Sequence, residues 1–282
     1  MEENFTHYMP VKGFPDLRMA ISKKFKRDND LEYSVDQIVV STGAKQTISN
    51  VILSLVNPGE EVIIPAPYWV SYLEQTKLAE GNSVIIKTSI ENNFKITPEQ
   101  LRSAMTDKSK LMIFSTPNNP SGAIYTQEEL DALADVIATK KDFYVICDEI
   151  YELINYTGVI SSLAKNPKVT EQVITVNGLS KGFAMTGWRL GYMGAPRWIA
   201  DACDKIQSQF TSGTSSISQR AAIAAVEADP SEVAYMVNAF RERRNIVVEG
   251  LKAIPGFDVK VPDGAFYIFP NVQEVIDKSH LK

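Results

Sequence analysis

Six short apolar runs punctuate the first two thirds of the chain, at residues 37–41, 61–65, 83–87, 111–115, 143–147 and 173–176. They are rich in valine and isoleucine and mostly continuous rather than alternating, which is the pattern of strands covered on both faces of a parallel sheet. Helical spacing fills the intervals. The clearest case starts at Thr126, where Thr126-Gln127-Glu128-Glu129 forms a capping box ahead of Leu130, Leu133, Ala134 and Ile137. Strands alternating with helices predict an α/β fold, a mostly parallel open sheet with helices on both faces. Residues 200–210 and 231–251 predict two further helices. Beyond Pro255-Gly256 the pattern changes to strand-like pieces at 257–261 and 265–269. The expected division is a large domain over 1–230, its N-terminal arm truncated, then a linking helix and the start of a small α+β domain over 231–282. A two-stranded unit is marginal alone, so the chain is expected to be incomplete at this end. Internal repeats and low-complexity segments are absent.

Polar residues of chemical interest gather where the strands end. Thr42-Gly43-Ala44-Lys45 follows one strand and opens a helix; Thr116-Pro117-Asn118-Asn119-Pro120-Ser121-Gly122 follows another; Asp148-Glu149-Ile150-Tyr151 follows a third; and Ser180-Lys181 lies beyond a fourth. Open α/β sheets bind ligands outside the carboxyl ends of their strands, so four such clusters describe one site. Singly, each has an ordinary structural use. Gly43 suits a tight turn, with or without a bound anion, and Asn119 sits in a common turn dipeptide. Asp148, directly after an apolar strand, needs a partner, whether a structural hydrogen bond, a helix cap or a ligand. Lys181 taken alone is a loop lysine, and Trp69 and Tyr72 are core or interface aromatics.

Composition narrows the classes. A length of 282 residues, with 44% hydrophobic and 22% charged, suits a globular protein with one large core and a smaller unit. The net charge of −5 gives no reason to expect nucleic acid as a partner, although a local cluster of donors still suits a small anion. Cys147 and Cys203 form no CxxC spacing, which argues against a disulfide framework or zinc knuckle and fits a reducing cytoplasm. His7 and His280 stand at opposite ends, so a metal site would need carboxylates alone; with no calcium-loop pattern, none is expected. Met1-Glu2-Glu3-Asn4 lacks the basic and apolar regions of a secretion signal. No apolar run approaches the ~20 residues that span a bilayer. A soluble cytoplasmic protein is expected.

The stretch Ser180-Lys181-Gly182-Phe183-Ala184-Met185-Thr186-Gly187-Trp188-Arg189-Leu190-Gly191-Tyr192 closely resembles the signature of the class I and II aminotransferases, pyridoxal-phosphate enzymes of the aspartate aminotransferase fold (fold type I). The same family's motifs are matched in order by Gly43-Ala44-Lys45-Gln46, Pro67-Tyr68-Trp69-Val70-Ser71-Tyr72, Asn118-Asn119-Pro120-Ser121-Gly122, Asp148-Glu149-Ile150-Tyr151 and Pro262-Asp263-Gly264-Ala265-Phe266-Tyr267. The resemblance covers nearly the whole chain. It implies transamination between an L-amino acid and a 2-oxo acid, with pyridoxal 5'-phosphate as cofactor. Lys181 would carry the cofactor as a Schiff base and shuttle the substrate's Cα proton. Asp148 would keep the pyridine nitrogen protonated. Tyr151 and Asn119 would hydrogen-bond the ring's O3′ oxygen and lower the pKa of the linkage. Trp69 would stack on the ring. Gly43, Ala44 and Lys45 would seat the phosphate on a helix N-terminus, with Arg189 as a charged clamp and Ser180 adding a hydroxyl. Lys45 resembles the lysine of the bacterial aspartate or prephenate branch that helps bind a distal carboxylate. With Asn177-Gly178 it favours L-aspartate and 2-oxoglutarate; Trp69 and Asn119 would also meet the substrate. Tyr8, in Tyr8-Met9-Pro10-Val11-Lys12-Gly13, resembles the tyrosine that enters a neighbouring subunit's phosphate site, which implies a homodimer with shared active sites.

The chain departs from the family at three points. A serine is common three residues before the lysine; Gly178 stands there, which removes one phosphate contact. The N-terminal segment that covers the substrate is expected to precede this chain. The small-domain arginine that grips the substrate's α-carboxylate does not follow Arg244 and is expected beyond Lys282. Without it, turnover is expected to fall by orders of magnitude while cofactor binding persists. An isolated cofactor-binding domain and another fold-type I enzyme, such as a carbon–sulfur lyase, are the alternatives; Thr186-Gly187-Trp188-Arg189 favours a transaminase. An effector domain of a transcription regulator fits poorly, since no winged-helix segment is present.

Overall fold

The computed structural model describes residues 5–279; the Met1–Asn4 reading and His280 lie outside them. Its centre is a seven-stranded sheet formed by β1 (Ile38–Ser41), β2 (Glu61–Ala66), β3 (Asn82–Lys87), β4 (Ser109–Ser115), β5 (Tyr144–Asp148), β6 (Val173–Gly178) and β7 (Gly191–Gly194), in the order β1-β7-β6-β5-β4-β2-β3. Six strands run one way, and β7 runs antiparallel between β1 and β6. The six expected strands are all present within a residue or two of their ends.

Continuous apolar runs follow from burial on both faces. Along β4, Leu111 and Ile113 enter one core while Met112 and Phe114 enter the other. The first core lies under α2 (Ala44–Leu55) and α6 (Arg197–Phe210), through Ile48, Val51, Ile52, Ile199 and Cys203. The second lies under α1 (Pro15–Asn29), α5 (Gln127–Ile137) and α7 (Ser216–Glu227), through Leu17, Ile21, Phe25, Leu130, Leu133 and Ala222. The short helices α3 (Ser71–Leu78) and α4 (Pro98–Ala104) join neighbouring strands. The Thr126 capping box forms as expected: its hydroxyl accepts from the Glu129 N–H and the Glu129 carboxylate accepts from the Thr126 N–H. No helix among the described residues is long and apolar enough to cross a membrane.

The last stretch differs from expectation. The helix expected at 231–251 is α8 (Ala234–Lys252), preceded by a 3-10 turn at Pro230–Val233, and α9 (Gln273–Ser279) closes the described chain. The strand-like pieces at 257–261 and 265–269 form no hairpin; the only bridges in this stretch among the described residues are single ones, Asp258 with Asn271 and, just before the second piece, Gly264 with Asn155. The reason lies in where their backbone donors go. The N–H groups of Asp263 and Gly264 both reach the Gly122 carbonyl, and that of Ala265 reaches the Ile154 carbonyl. Residues 262–267 are therefore a strap fastened to loops of the main sheet.

Candidate active site

The polar clusters converge where expected. Asp148 ends β5, the Thr116–Gly122 loop leaves neighbouring β4, and Ser180-Lys181 leaves β6 on the other side. Parallel strands bring these ends to one edge, and α2 delivers its N-terminus from beyond β7. A cavity of about 250 Å³ results, lined by Ala44, Lys45, Trp69, Tyr72, Ser115, Asn119, Asp148, Ile150, Tyr151, Ser180, Lys181, Thr186, Arg189 and Tyr267.

The base of the cavity is acidic and buried. Asp148 is 3% exposed. Its Oδ2 accepts the Tyr72 hydroxyl at 2.7 Å and its Oδ1 accepts the Ile150 N–H at 3.2 Å. Burial raises its pKa to about 6, against the pull of these hydrogen bonds and the Lys181 charge. The partner that a strand-end carboxylate requires is thus Tyr72, which the sequence alone left as a packing aromatic. Burial also lowers the Lys181 pKa; the Arg189 charge adds to the fall and Asp148 opposes it. The Lys181 amine stands 5.8 Å from the Tyr151 ring centroid and 5.6 Å from that of Phe266. A desolvated lysine with a depressed pKa is a competent nucleophile toward a carbonyl. The Tyr151 hydroxyl meets that of Tyr267 at 2.7 Å, and its pKa is raised, chiefly by burial.

The opposite end favours an anion. Gly43 precedes α2 at φ +89, a conformation costly for other residues, and a Cβ there would come within 2.5 Å of the Arg189 guanidinium. The first N–H groups of α2, on Ala44 and Lys45, have no intrahelical acceptor. Arg189, itself left-handed at φ 51, is anchored by donating from Nη1 to the Thr186 carbonyl at 2.9 Å. Gly191 lets β7 pass under this turn, since a Cβ would come within 2.5 Å of the Gly43 carbonyl carbon. Gly178 is equally constrained: a Cβ would stand 2.9 Å from both the Gly191 Cα and the Leu190 carbonyl oxygen. The absent serine at this position therefore reflects a close approach of β6 and β7. Lys45 lies across the Trp69 ring, its amine 4.8 Å from the centroid.

Of the sequence-predicted residues, Gly43 stands behind the lining, against Arg189, and Tyr8 stays apart. Tyr8 is 97% exposed and does not line the cavity. Tyr267, Thr186 and Ser115 line it without having been singled out. Tyr267 belongs to the recognised Pro262–Tyr267 motif, but nothing in the motif says that it reaches the site.

A family model described as Aminotransferase class I and II matches residues 1–280. The bifunctional aspartate aminotransferase and glutamate/aspartate-prephenate aminotransferase of Petunia hybrida is 48% identical over 273 residues, 95% of this chain and 57% of that protein. The aspartate/prephenate aminotransferase of Nitrosomonas europaea is 43% identical over 280 residues, 99% of this chain and 70% of that protein. The chain thus spans a little over half the length of the plant relative. The solved aspartate aminotransferase of Rhizobium meliloti superposes with a TM-score of 0.95 at 40% identity, over 97% of this chain and 69% of that one.

Proposed function

Because the chain belongs to the class I and II aminotransferase family, we propose that it supplies the cofactor site of a transaminase that exchanges the amino group of L-aspartate with a 2-oxo acid. The observation that carries this is the convergence of Lys181, Asp148, Arg189 and the α2 N-terminus on one cavity. The family's cofactor, pyridoxal 5'-phosphate, combines an aldehyde, a phosphate and a basic ring nitrogen. The residues present fit each part: a desolvated amine for the aldehyde, orphaned N–H groups with Arg189 for the phosphate, and a buried carboxylate for the nitrogen. When bound, the cofactor supplies an electron sink for the carbanion formed at the substrate Cα.

The residues then take the following roles. Lys181 holds the cofactor and, once released, moves a proton away from the substrate Cα. Asp148 keeps a proton on the ring nitrogen; its bond from Tyr72 fixes the carboxylate and favours its charged form. Tyr151 and Asn119 donate to the ring oxygen, Trp69 covers the ring, and Ser180 and Arg189 hold the phosphate. Lys45, its amine over the Trp69 ring at the cavity wall, receives the distal carboxylate of a dicarboxylic substrate. Tyr8, free of its own chain's cavity, serves the phosphate site of a second subunit in a homodimer. The large domain ends near residue 230, and residues 231–279 form a linking helix and part of a second, smaller unit. The buried free thiols Cys147 and Cys203 suit a reducing, cytoplasmic setting.

The test is a single half-reaction. Cofactor-loaded protein given L-aspartate without an acceptor should release up to one equivalent of 2-oxo acid per site and no ammonia. Ammonia with continuous keto-acid release would replace the transaminase by a lyase; release is expected to be slow in this chain, and loaded protein that yields product from another L-amino acid but none from L-aspartate would remove the aspartate assignment.

A further inference from the structure

The strap at residues 262–267 is held more tightly than a simple connection requires. Besides its backbone bonds to Gly122 and Ile154, the Tyr156 hydroxyl donates to the Ala265 carbonyl at 2.6 Å, and the Tyr156 N–H donates to the Asp263 carbonyl at 2.8 Å. Gly122 and Gly264 permit the close passage: a Cβ on Gly122 would stand 2.7 Å from the Gly264 carbonyl oxygen, and one on Gly264 would stand 2.7 Å from the Pro117 Cβ. Ala265 is fully buried in the left-handed region at φ 56, which a non-glycine residue adopts only when its surroundings impose it. The outcome of that backbone is the aim of the next two side chains. Phe266 packs edge-on to Tyr151 at 5.3 Å between centroids, and the Tyr267 hydroxyl reaches the Tyr151 hydroxyl at 2.7 Å.

A phenol has one proton to give. Either phenol can be the donor in the 2.7 Å contact; if Tyr151 gives its proton to the cofactor's ring oxygen, the proton in the contact belongs to Tyr267, whose hydroxyl makes no other hydrogen bond among the described residues. Tyr151 then accepts one hydrogen bond and donates one, with Asn119 beside it on the cavity wall. We propose that Tyr267 is a positioning residue: its hydroxyl donates to Tyr151, turns the Tyr151 proton into the cavity, and strengthens the hydrogen bond that Tyr151 offers the cofactor's ring oxygen. A hydroxyl that accepts a bond is a better donor, because each bond in a chain polarises the next. A better donor draws charge from the ring oxygen, so the linkage to Lys181 loses its proton at lower pH. This deepens the cofactor reading above and rests on it.

The groups facing this pair are Asp148 at the end of β5, Lys181 and Arg189 in the segment between β6 and β7, Lys45 on α2, Tyr72 on α3, Tyr156 in the loop after β5, and Arg243 and Arg244 on α8, which line a space beside Tyr267. Tyr267→Phe alters none of them and keeps the ring that packs on Phe266. The experiment is a pH titration of the visible absorbance band of cofactor-loaded wild type, Tyr267→Phe, Tyr151→Phe and the double variant. The midpoint should rise in Tyr267→Phe by a few tenths of a pH unit to about one unit, the range one neutral hydrogen bond commands. It should rise further in Tyr151→Phe, and the double variant should match Tyr151→Phe, since Tyr267 acts only through Tyr151. An unchanged midpoint in Tyr267→Phe, or shifts that add in the double variant, would overturn the proposal. Absence of any Lys181-dependent band in wild type would instead overturn the cofactor reading, and this proposal with it.

Discussion

Glu149 sits next to Asp148 in sequence but faces the opposite core, 1% exposed. Its Oε1 accepts the Ser162 hydroxyl at 2.6 Å and the Cys147 thiol at 3.5 Å, while its Oε2 has no partner. A buried carboxylate with a bare oxygen is costly when charged. Burial, with Glu152 adding to it, raises the Glu149 pKa from 4.5 to about 8, against the pull of Ser162, Lys24 and Cys147. The folded state therefore prefers the neutral acid. Its contribution is fully present below about pH 4.5 and is lost as pH rises toward about 8. Each pH unit in that window is worth up to ~1.4 kcal/mol, so the full span is roughly 5 kcal/mol. Glu149→Gln keeps an acceptor for Ser162 and removes the titration. The unpartnered amide adds an offset of about 1–3 kcal/mol that does not vary with pH. The slope is thus the observable. Urea unfolding of both proteins at several pH values between about 5 and 9 should show the variant gaining on the wild type as pH rises, then holding constant. Stability curves that stay parallel across this window would refute the assignment of a protonated Glu149.

Gly191→Ala should destabilise by at least 1–3 kcal/mol, the usual cost of overpacking, because its Cβ meets backbone of the Gly43–Ala44 turn rather than a movable side chain. Thermal melting and cofactor titration should both report the loss, and a melting temperature within a degree of wild type would contradict the close approach. Asp148→Asn removes a charge-assisted pair with the ring nitrogen and should weaken cofactor binding about 10- to 100-fold, with little loss of fold stability because a buried carboxylate is replaced by a neutral amide; unchanged affinity would count against the role of Asp148. Lys45→Met should reduce the preference for aspartate over alanine in the half-reaction by about tenfold or more, and an unchanged ratio would remove Lys45 from substrate choice.

Much of the sheet was legible because its strands are buried on both faces, and uninterrupted runs such as Val145-Ile146-Cys147 have few other uses. β7 was not. Gly191-Tyr192-Met193-Gly194 has glycines where the chain must pass under the α2 turn and against the Tyr33 ring, so steric need displaced the β-branched residues that announce a strand. α1 escaped notice for another reason. Its buried face, Leu17, Ala20, Ile21, Lys24 and Phe25, includes a lysine that a hydrophobicity pattern counts as exposed. Lys24 is buried because it donates to the Asn29 side chain at 2.8 Å and pairs with Glu152, which lies 128 residues away in sequence. The same limit applies in the site. Lys181, Asp148 and Arg189 stand in motifs whose residue types announce their chemistry. Tyr72 and Tyr267 are tyrosines among aromatics, and only the folded geometry shows which polar group each hydroxyl meets. The piece at 265–269 has strand-like composition, but it continues a strap whose donors are spent on Gly122 and Ile154, which no local pattern reveals.

The most direct test of the cofactor site is the visible absorbance of the purified chain with pyridoxal 5'-phosphate, recorded beside that of Lys181→Ala. A band that survives removal of free cofactor in the wild type, and is absent from a folded Lys181→Ala variant, is the expected result. A band equally present in both proteins, or in neither, would contradict the assignment of Lys181 and with it the proposed function.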